Sequence, residues 1–248
     1  MGYKKYFTLS YDDGVEQDKK LIEILNEYGI KATFNLSSGL FGCEEYVGRI
    51  GNLGMLEISK EKKESKKIFK PTQHYIIPEN EVVQVYEGFE IASHGYLHEM
   101  YQFSTKEIIS KSVSEDVINL SKLFNRKIVG HAFPKGGMTK NSVKVLKENK
   151  LLYGRGIKTT KNFLFPKDPL QYHPTCWHAT KDIFSILDQF IKAEPEQDDL
   201  LCYIWGHAYE FDFGTERNSW DQIKRICEKI AGRDDIVYCT NEEAFRRI

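Results

Sequence analysis

The sequence predicts an α/β fold in which a parallel sheet closes into a barrel, and three observations predict it. Short apolar or β-branched runs alternate with amphipathic stretches of helical length along most of the 248 residues. That alternation is the pattern of parallel strands joined by helical crossovers. The length suits a single α/β barrel. The residues able to do chemistry also recur directly after strand-like runs, where barrel enzymes build their sites.

Each element has its own warrant. Residues 6–10 form an apolar and β-branched run that Gly14 helps to end, so Asp12 and Asp13 fall at its C-terminal mouth. Residues 16–28 carry Leu21, Ile24, Leu25 and Tyr28 at helical spacing, with Gly29 as a C-terminal stop. Residues 31–36 read as the second strand and 89–92 as the next. The helix predicted over 105–124 is followed by a strand over 128–133, and the helix over 139–149 by a strand over 152–157. A helix over 183–193, a buried strand over 200–205 and a helix over 219–231 follow, and segments 236–239 and 242–248 close the chain. Residues 39–78 break this rhythm with five glycines and a charged run over 57–70. They read as an insertion after the second strand. The lysines Lys60, Lys62, Lys63, Lys66, Lys67 and Lys70 alternate with Glu61 and Glu64 and read as a solvated face. No repeat or linker divides the chain, and residues 1–248 are expected to form one domain.

Composition narrows the classes of function. A formal charge of −1 leaves no basic footprint for nucleic acid. Hydrophobic content of 41% and charged content of 29% describe an ordinary soluble domain. The cysteines are five, Cys43, Cys176, Cys202, Cys227 and Cys239, with no Cys-x-x-Cys pair, as expected for reduced thiols. Met1-Gly2-Tyr3-Lys4-Lys5 runs straight into the first strand, and no apolar stretch reaches membrane-spanning length. The expectation is a cytoplasmic protein without nucleic-acid or membrane partners.

Two motifs point to chemistry. In Leu9-Ser10-Tyr11-Asp12-Asp13-Gly14 two adjacent carboxylates end a strand. Asp-Asp-Gly is also an ordinary turn, but side chains of adjacent residues point apart, so one carboxylate can hold a metal while the other acts as a base. In Ser93-His94-Gly95-Tyr96-Leu97-His98 two histidines stand four residues apart, within reach of one point across a helical turn or a tight loop. Exposed loop histidines would read the same way in isolation. Two imidazoles and a carboxylate leave an open coordination position, which a catalytic zinc site needs.

Together with two later segments, these motifs resemble the polysaccharide deacetylase, or NodB-homology, family, the family 4 carbohydrate esterases. Ser10-Tyr11-Asp12-Asp13-Gly14 resembles the first family motif and His94-Gly95-Tyr96-Leu97-His98 the second. Ala132-Phe133-Pro134-Lys135-Gly136 is similar to the third, and Tyr203-Ile204-Trp205-Gly206-His207 to the last. The resemblance implies a distorted, incomplete (β/α) barrel of about seven units. It implies one divalent metal on Asp13, His94 and His98, usually zinc and sometimes cobalt or nickel. Asp12 would be the general base toward a metal-polarised water and His207 the general acid that protonates the leaving group. A backbone N–H near Lys135 would serve the oxyanion. Pro134, Lys135, Trp177, Trp205 and Tyr209 would line the pocket.

Three departures accompany the resemblance. Ala132 stands where the family often has an arginine that orients the base, so Asp12 needs another orienter. Lys135 replaces a common aromatic and favours an anionic or strongly polar ligand. The fourth motif is replaced by His173-Pro174-Thr175-Cys176-Trp177, which leaves Glu210 or Asp212 as possible partners of His207. The expected function is a metal-dependent deacetylase acting on a small acetylated sugar. Ring opening of a cyclic amide or ureide, as in allantoinases, would use the same fold and metal. A non-catalytic sugar-binding protein is a third reading, and the joint presence of Asp12, Asp13, His94, His98 and His207 argues against it.

Overall fold

The computed structural model describes residues 2–43 and 75–247. Most of the 39–78 insertion, including its lysine run, lies outside the described residues. The strands are β1 (Lys5–Asp12), β2 (Ala32–Leu36), β3 (Glu90–Ser93), β4 (Gly130–Ala132), β5 (Tyr153–Arg155), β6 (Cys176–Trp177), β7 (Leu200–Gly206) and β8 (Ile236–Tyr238). The helices are α1 (Gln17–Glu27), α2 (Glu79–Val85), α3 (Lys106–Leu123), α4 (Lys140–Glu148), α5 (Ile183–Lys192), α6 (Trp220–Ile230) and α7 (Asn241–Arg246). All strand pairings are parallel, in the order β5-β4-β3-β2-β1-β7-β6, with β8 also on β1. This is the curled, incomplete (β/α) barrel expected from the sequence. The strands predicted over 128–133 and 152–157 shorten to three residues each, and α2 and β6 were not anticipated.

The curl has an irregular seam. Tyr172 bridges in parallel to Arg155 at the end of β5, with its N–H 2.9 Å from the Gly154 carbonyl and its own carbonyl 2.8 Å from Gly156 N. A few residues later β6 pairs with β7. The 172–177 segment therefore spans the gap between the two ends of the strand order.

Period-two geometry sorts β1 into two environments. Phe7, Leu9 and Tyr11 join the main apolar cluster with Leu21 and Leu25 of α1, Leu187 and Phe190 of α5, and Ile223 and Ile226 of α6. Tyr6, Thr8, Ser10 and Asp12 alternate with them; Tyr6 joins a smaller apolar cluster with Tyr172, Leu201 and Tyr203, and the other three meet polar groups in the barrel interior. There Asn241, the first residue of α7, accepts from Thr8 Oγ1 at 2.9 Å and donates to Tyr203 Oη at 2.7 Å and to Ser10 Oγ at 3.3 Å. Its backbone N–H reaches Thr33 Oγ1 at 2.9 Å. Glu90 accepts from Thr33 Oγ1, from Tyr153 Oη and from the N–H of Glu242, at 2.7, 2.8 and 2.7 Å. Paired in this way, interior polar groups avoid the cost of buried, unsatisfied donors.

Helix α3 anchors the loop after β3. Thr105 caps it, accepting from Ile108 N, and Ser112 and Asp116, one turn apart, face the sheet. Asp116 accepts from Ser93 Oγ at 2.6 Å, from His94 N at 3.1 Å, and from both N and Oγ of Ser38 at 2.7 Å. Burial pushes its carboxyl up to about 6 against the pull of those donors. Ser112 accepts from Tyr96 N at 3.1 Å. Asp116→Ala strands four donors in a buried place, and we expect a loss of about 3 kcal/mol. A lowered denaturant midpoint at unchanged slope checks it.

Candidate metal and catalytic centre

Asp12 is the last residue of β1, and Asp13 follows it with φ of 83°. In a continued strand the next side chain would point to the opposite face. The left-handed backbone at Asp13 breaks the alternation, and both carboxylates face the same histidines. His94 and His98 are brought together by a tight loop rather than a helical turn. Gly95 at φ of 76° and His98 at φ of 55° fold it back, and His98 N donates to the Gly95 carbonyl at 3.4 Å. Non-glycine residues in this region cluster at functional sites.

The two carboxylates meet different surroundings. Asp12 Oδ1 accepts from Asn35 Nδ2 at 2.8 Å and from the guanidinium of Arg155. Its Oδ2 lies 3.9 Å from Nε2 of both His94 and His207. Burial works against the charge of Asp12, but Arg155, His94 and His207 outweigh it and hold the carboxyl below its ordinary range. Asp13 Oδ1 has no hydrogen-bond partner among the described residues and lies 3.6 Å from Nε2 of both His94 and His98. Burial pushes Asp13 up, with His207 and His94 opposing.

The histidines are set to present lone pairs. His94 Nδ1 faces the Ala132 carbonyl at 2.8 Å; a carbonyl only accepts, so Nδ1 carries the proton and Nε2 is bare toward Asp13. Burial, with His94, Lys135 and His207 nearby, holds His98 well below the usual imidazole range, hence neutral. The ligand atoms of Asp13, His94 and His98 all lie within 4.8 Å of one another. An unpartnered carboxylate oxygen and two imidazole nitrogens at this spacing fit a divalent metal ion.

Across the pocket, His207 follows β7 with Nε2 3.9 Å from Oδ2 of Asp12 and of Asp13, and Nδ1 3.4 Å from Glu210 Oε2. Burial lowers its affinity for a proton, but Glu210, Asp13 and Asp12 outweigh it and raise His207 to about 9. Tyr209 stacks on the His207 ring at 5.0 Å, and Trp205 meets it edge-on at 5.5 Å. Trp177 Nε1 donates to Glu210 Oε2 at 2.9 Å. Of the two carboxylates considered as partners of His207, Glu210 faces it. Asp212 instead accepts from Gln17 and from Trp220 at 2.8 Å each. Pro134 is buried, and Lys135 at φ of 50° is half-buried within electrostatic reach of Asp13 and His98.

Sequence reasoning missed Arg155, Asn35 and His178. Arg155 had a signal: it is the register partner of Ala132, so an arginine absent from β4 is supplied by the neighbouring strand. Its guanidinium also lies over the Trp205 ring at 4.9 Å. Asn35 sits opposite Asp12 in the β1–β2 register.

Comparison with known proteins gives a consistent frame. The sequence profile of polysaccharide deacetylases matches residues 2–154. A probable polysaccharide deacetylase from Pseudomonas aeruginosa has a similar structure, with TM-score 0.62, 13% identity, and coverage of 98% of this chain and 90% of that one. The PuuE allantoinase gives TM-score 0.61 and 13% identity, with coverage of 98% of this chain and 89% of that one. A mutant of a CE4 family pseudoenzyme gives TM-score 0.52 and 14% identity, covering 99% of this chain and 68% of that one. At these identities the likeness is one of fold. No curated protein matches the chain.

Proposed function

The chain belongs to the polysaccharide deacetylase family, and from that premise we propose that it is a metal-dependent hydrolase removing an acetyl group from a small N- or O-acetylated sugar. The observation that carries this reading is the unequal treatment of two adjacent carboxylates. Asp12 is held by Arg155 and Asn35, while Asp13 keeps an oxygen unpartnered between two imidazoles.

Asp13, His94 and His98 would hold the ion, zinc by the nature of the donor set. When bound it supplies Lewis acidity toward water and the acyl oxygen. Asp12, kept ionised, takes the proton of the attacking water through Oδ2, since Oδ1 is committed to Arg155 and Asn35. His207, protonated at neutral pH, gives its Nε2 proton to the departing amine or alkoxide. The backbone at Lys135 serves the developing oxyanion, and Trp177, Trp205 and Tyr209 wall the acyl-bearing group. The Lys135 ammonium favours an anionic or strongly polar small substrate over a long polymer such as chitin or peptidoglycan. All five cysteines are free, which supports a reducing compartment, and no described helix is long and apolar enough to cross a membrane.

Metal analysis combined with acetate release from N-acetylated amino sugars and their short oligomers tests this. We expect about one divalent ion per chain, acetate release lost on chelation, and recovery with zinc, cobalt or nickel. Ring opening of allantoin without acetate release would favour the cyclic-ureide reading. Bound metal with no turnover of either would leave a binding protein.

A further inference from the structure

Glu210 gathers more than His207. Its Oε2 accepts from Trp177 Nε1 at 2.9 Å and from His207 N at 3.2 Å, and it lies 3.2 Å from Nε2 of a second imidazole, His178. That nitrogen is also 3.0 Å from Asn218 Oδ1. With acceptors as its neighbours, His178 Nε2 carries the ring proton and donates it.

The ring cannot turn. His178 is completely buried, stacked on Phe211 at 4.5 Å, on Trp177 at 5.5 Å and on Tyr11 at 5.8 Å. Its other nitrogen, Nδ1, has no partner among the described residues and packs on the backbone of β7. A Cβ at Gly206 would come within 2.0 Å of Nδ1, so the glycine one residue before His207 is the surface on which this ring rests. His178 thus has one hydrogen-bonding edge, and it faces both Asn218 Oδ1 and the carboxylate that faces His207.

More donors converge on Glu210 Oε2 than one oxygen can serve well. The rigid ones therefore fix where that oxygen sits, and these are the indole of Trp177 and the imidazole of His178. We propose that His178 is a positioning residue that acts through Glu210 to hold His207 in line with the leaving group. The proposal rests on the reading of His207 as the general acid. It assigns His178 no contact with substrate or with the reacting atoms.

The test uses the zinc-loaded protein and a series of aryl acetates, from 4-nitrophenyl to 4-methylphenyl acetate. A weakened acid makes the rate fall more steeply as the leaving phenoxide becomes more basic, whereas a merely structural defect lowers every member alike. His178→Phe keeps a stacking ring and removes the donor. We expect it within about twofold of the parent on 4-nitrophenyl acetate and about tenfold lower in kcat on 4-methylphenyl acetate, with KM unchanged. His178→Gln, which keeps an N–H donor, should lie nearer the parent. His207→Ala should be steeper still, and adding His178→Phe to it should cost nothing further. An equal loss across the series for His178→Phe, or additive losses in the double variant, overturns the proposal while a steep His207→Ala series leaves the acid reading standing. A His207→Ala series no steeper than the parent overturns that reading itself. The slope does not depend on the fraction of folded protein, so poor folding does not imitate the expected result.

Discussion

Asp12→Asn should abolish turnover while the protein still binds about one divalent ion per chain, and Asp13→Asn should lose ion and turnover together. The difference follows from the oxygens. Asp12 Oδ1 is occupied by Asn35 and Arg155, and its Oδ2 lies 3.9 Å from His94 and His207, so an amide there removes the base without opening the cluster of donors. A lost general base costs on the order of 10²- to 10⁴-fold in rate. Asp13 Oδ1 stands 3.6 Å from both imidazoles with no competing partner, so its replacement removes the anionic member of the donor set. Metal content measured beside acetate release decides between the two. Equal loss of metal in both variants would contradict the division of labour.

The second large effect is expected at Arg155. Its guanidinium is fully buried and reaches Asp12 of β1 from β5, which pairs with β4 and not with β1. Arg155→Leu leaves Asp12 buried with one amide donor on that oxygen, and breaking such a pair costs about 3–5 kcal/mol at neutral pH. The sign with pH follows from the direction of the Asp12 shift. Because Arg155 holds that carboxyl below its ordinary value, the pair stabilises the fold above the unfolded-state pKa, and its contribution is lost as pH falls through the folded one. Denaturant midpoints of parent and variant should therefore converge in acid. Activity should fall with them at neutral pH, since a base no longer paired with a cation takes up a proton more readily. Midpoints that stay equally far apart at all pH values would show that packing over Trp205, not charge, is what Arg155 supplies.

Much of this could be read from the sequence because local signals carried it. The strand–helix order, the boundaries of α3 and α6, and the helix stop at Gly29 follow from periodicity, caps and turn chemistry over a few residues. Arg155 was missed because its partner is fixed by strand register, which pairs it with Ala132 and carries it toward Asp12, 143 positions away. His178 was missed for a similar reason: its role depends on a Cβ-free surface at Gly206 and on a carboxylate 32 residues further along, neither visible at motif range. Strand β6, two residues long, offers too little pattern to register at all. Asp212 and Glu210 were indistinguishable by position, and the short helical turn Ala208–Phe213 separated them by aiming one inward and the other at Gln17 and Trp220.

The placement of β1 has a consequence for how the chain comes to its fold. The earliest of the described strands is flanked by segments made much later: Lys5 pairs in register with Leu200 on one edge and with Ile236 on the other. Only β2, on its C-terminal half, arrives early. At ribosomal speeds the interval before β7 emerges is roughly 10–40 s, long compared with hydrophobic collapse. For that time β1 presents an apolar, unpaired edge of the kind that other chains can extend. The hazard of aggregation in this protein therefore belongs to its synthesis. A nascent chain halted before residue 200 would expose a strand that the finished sheet buries along its whole length.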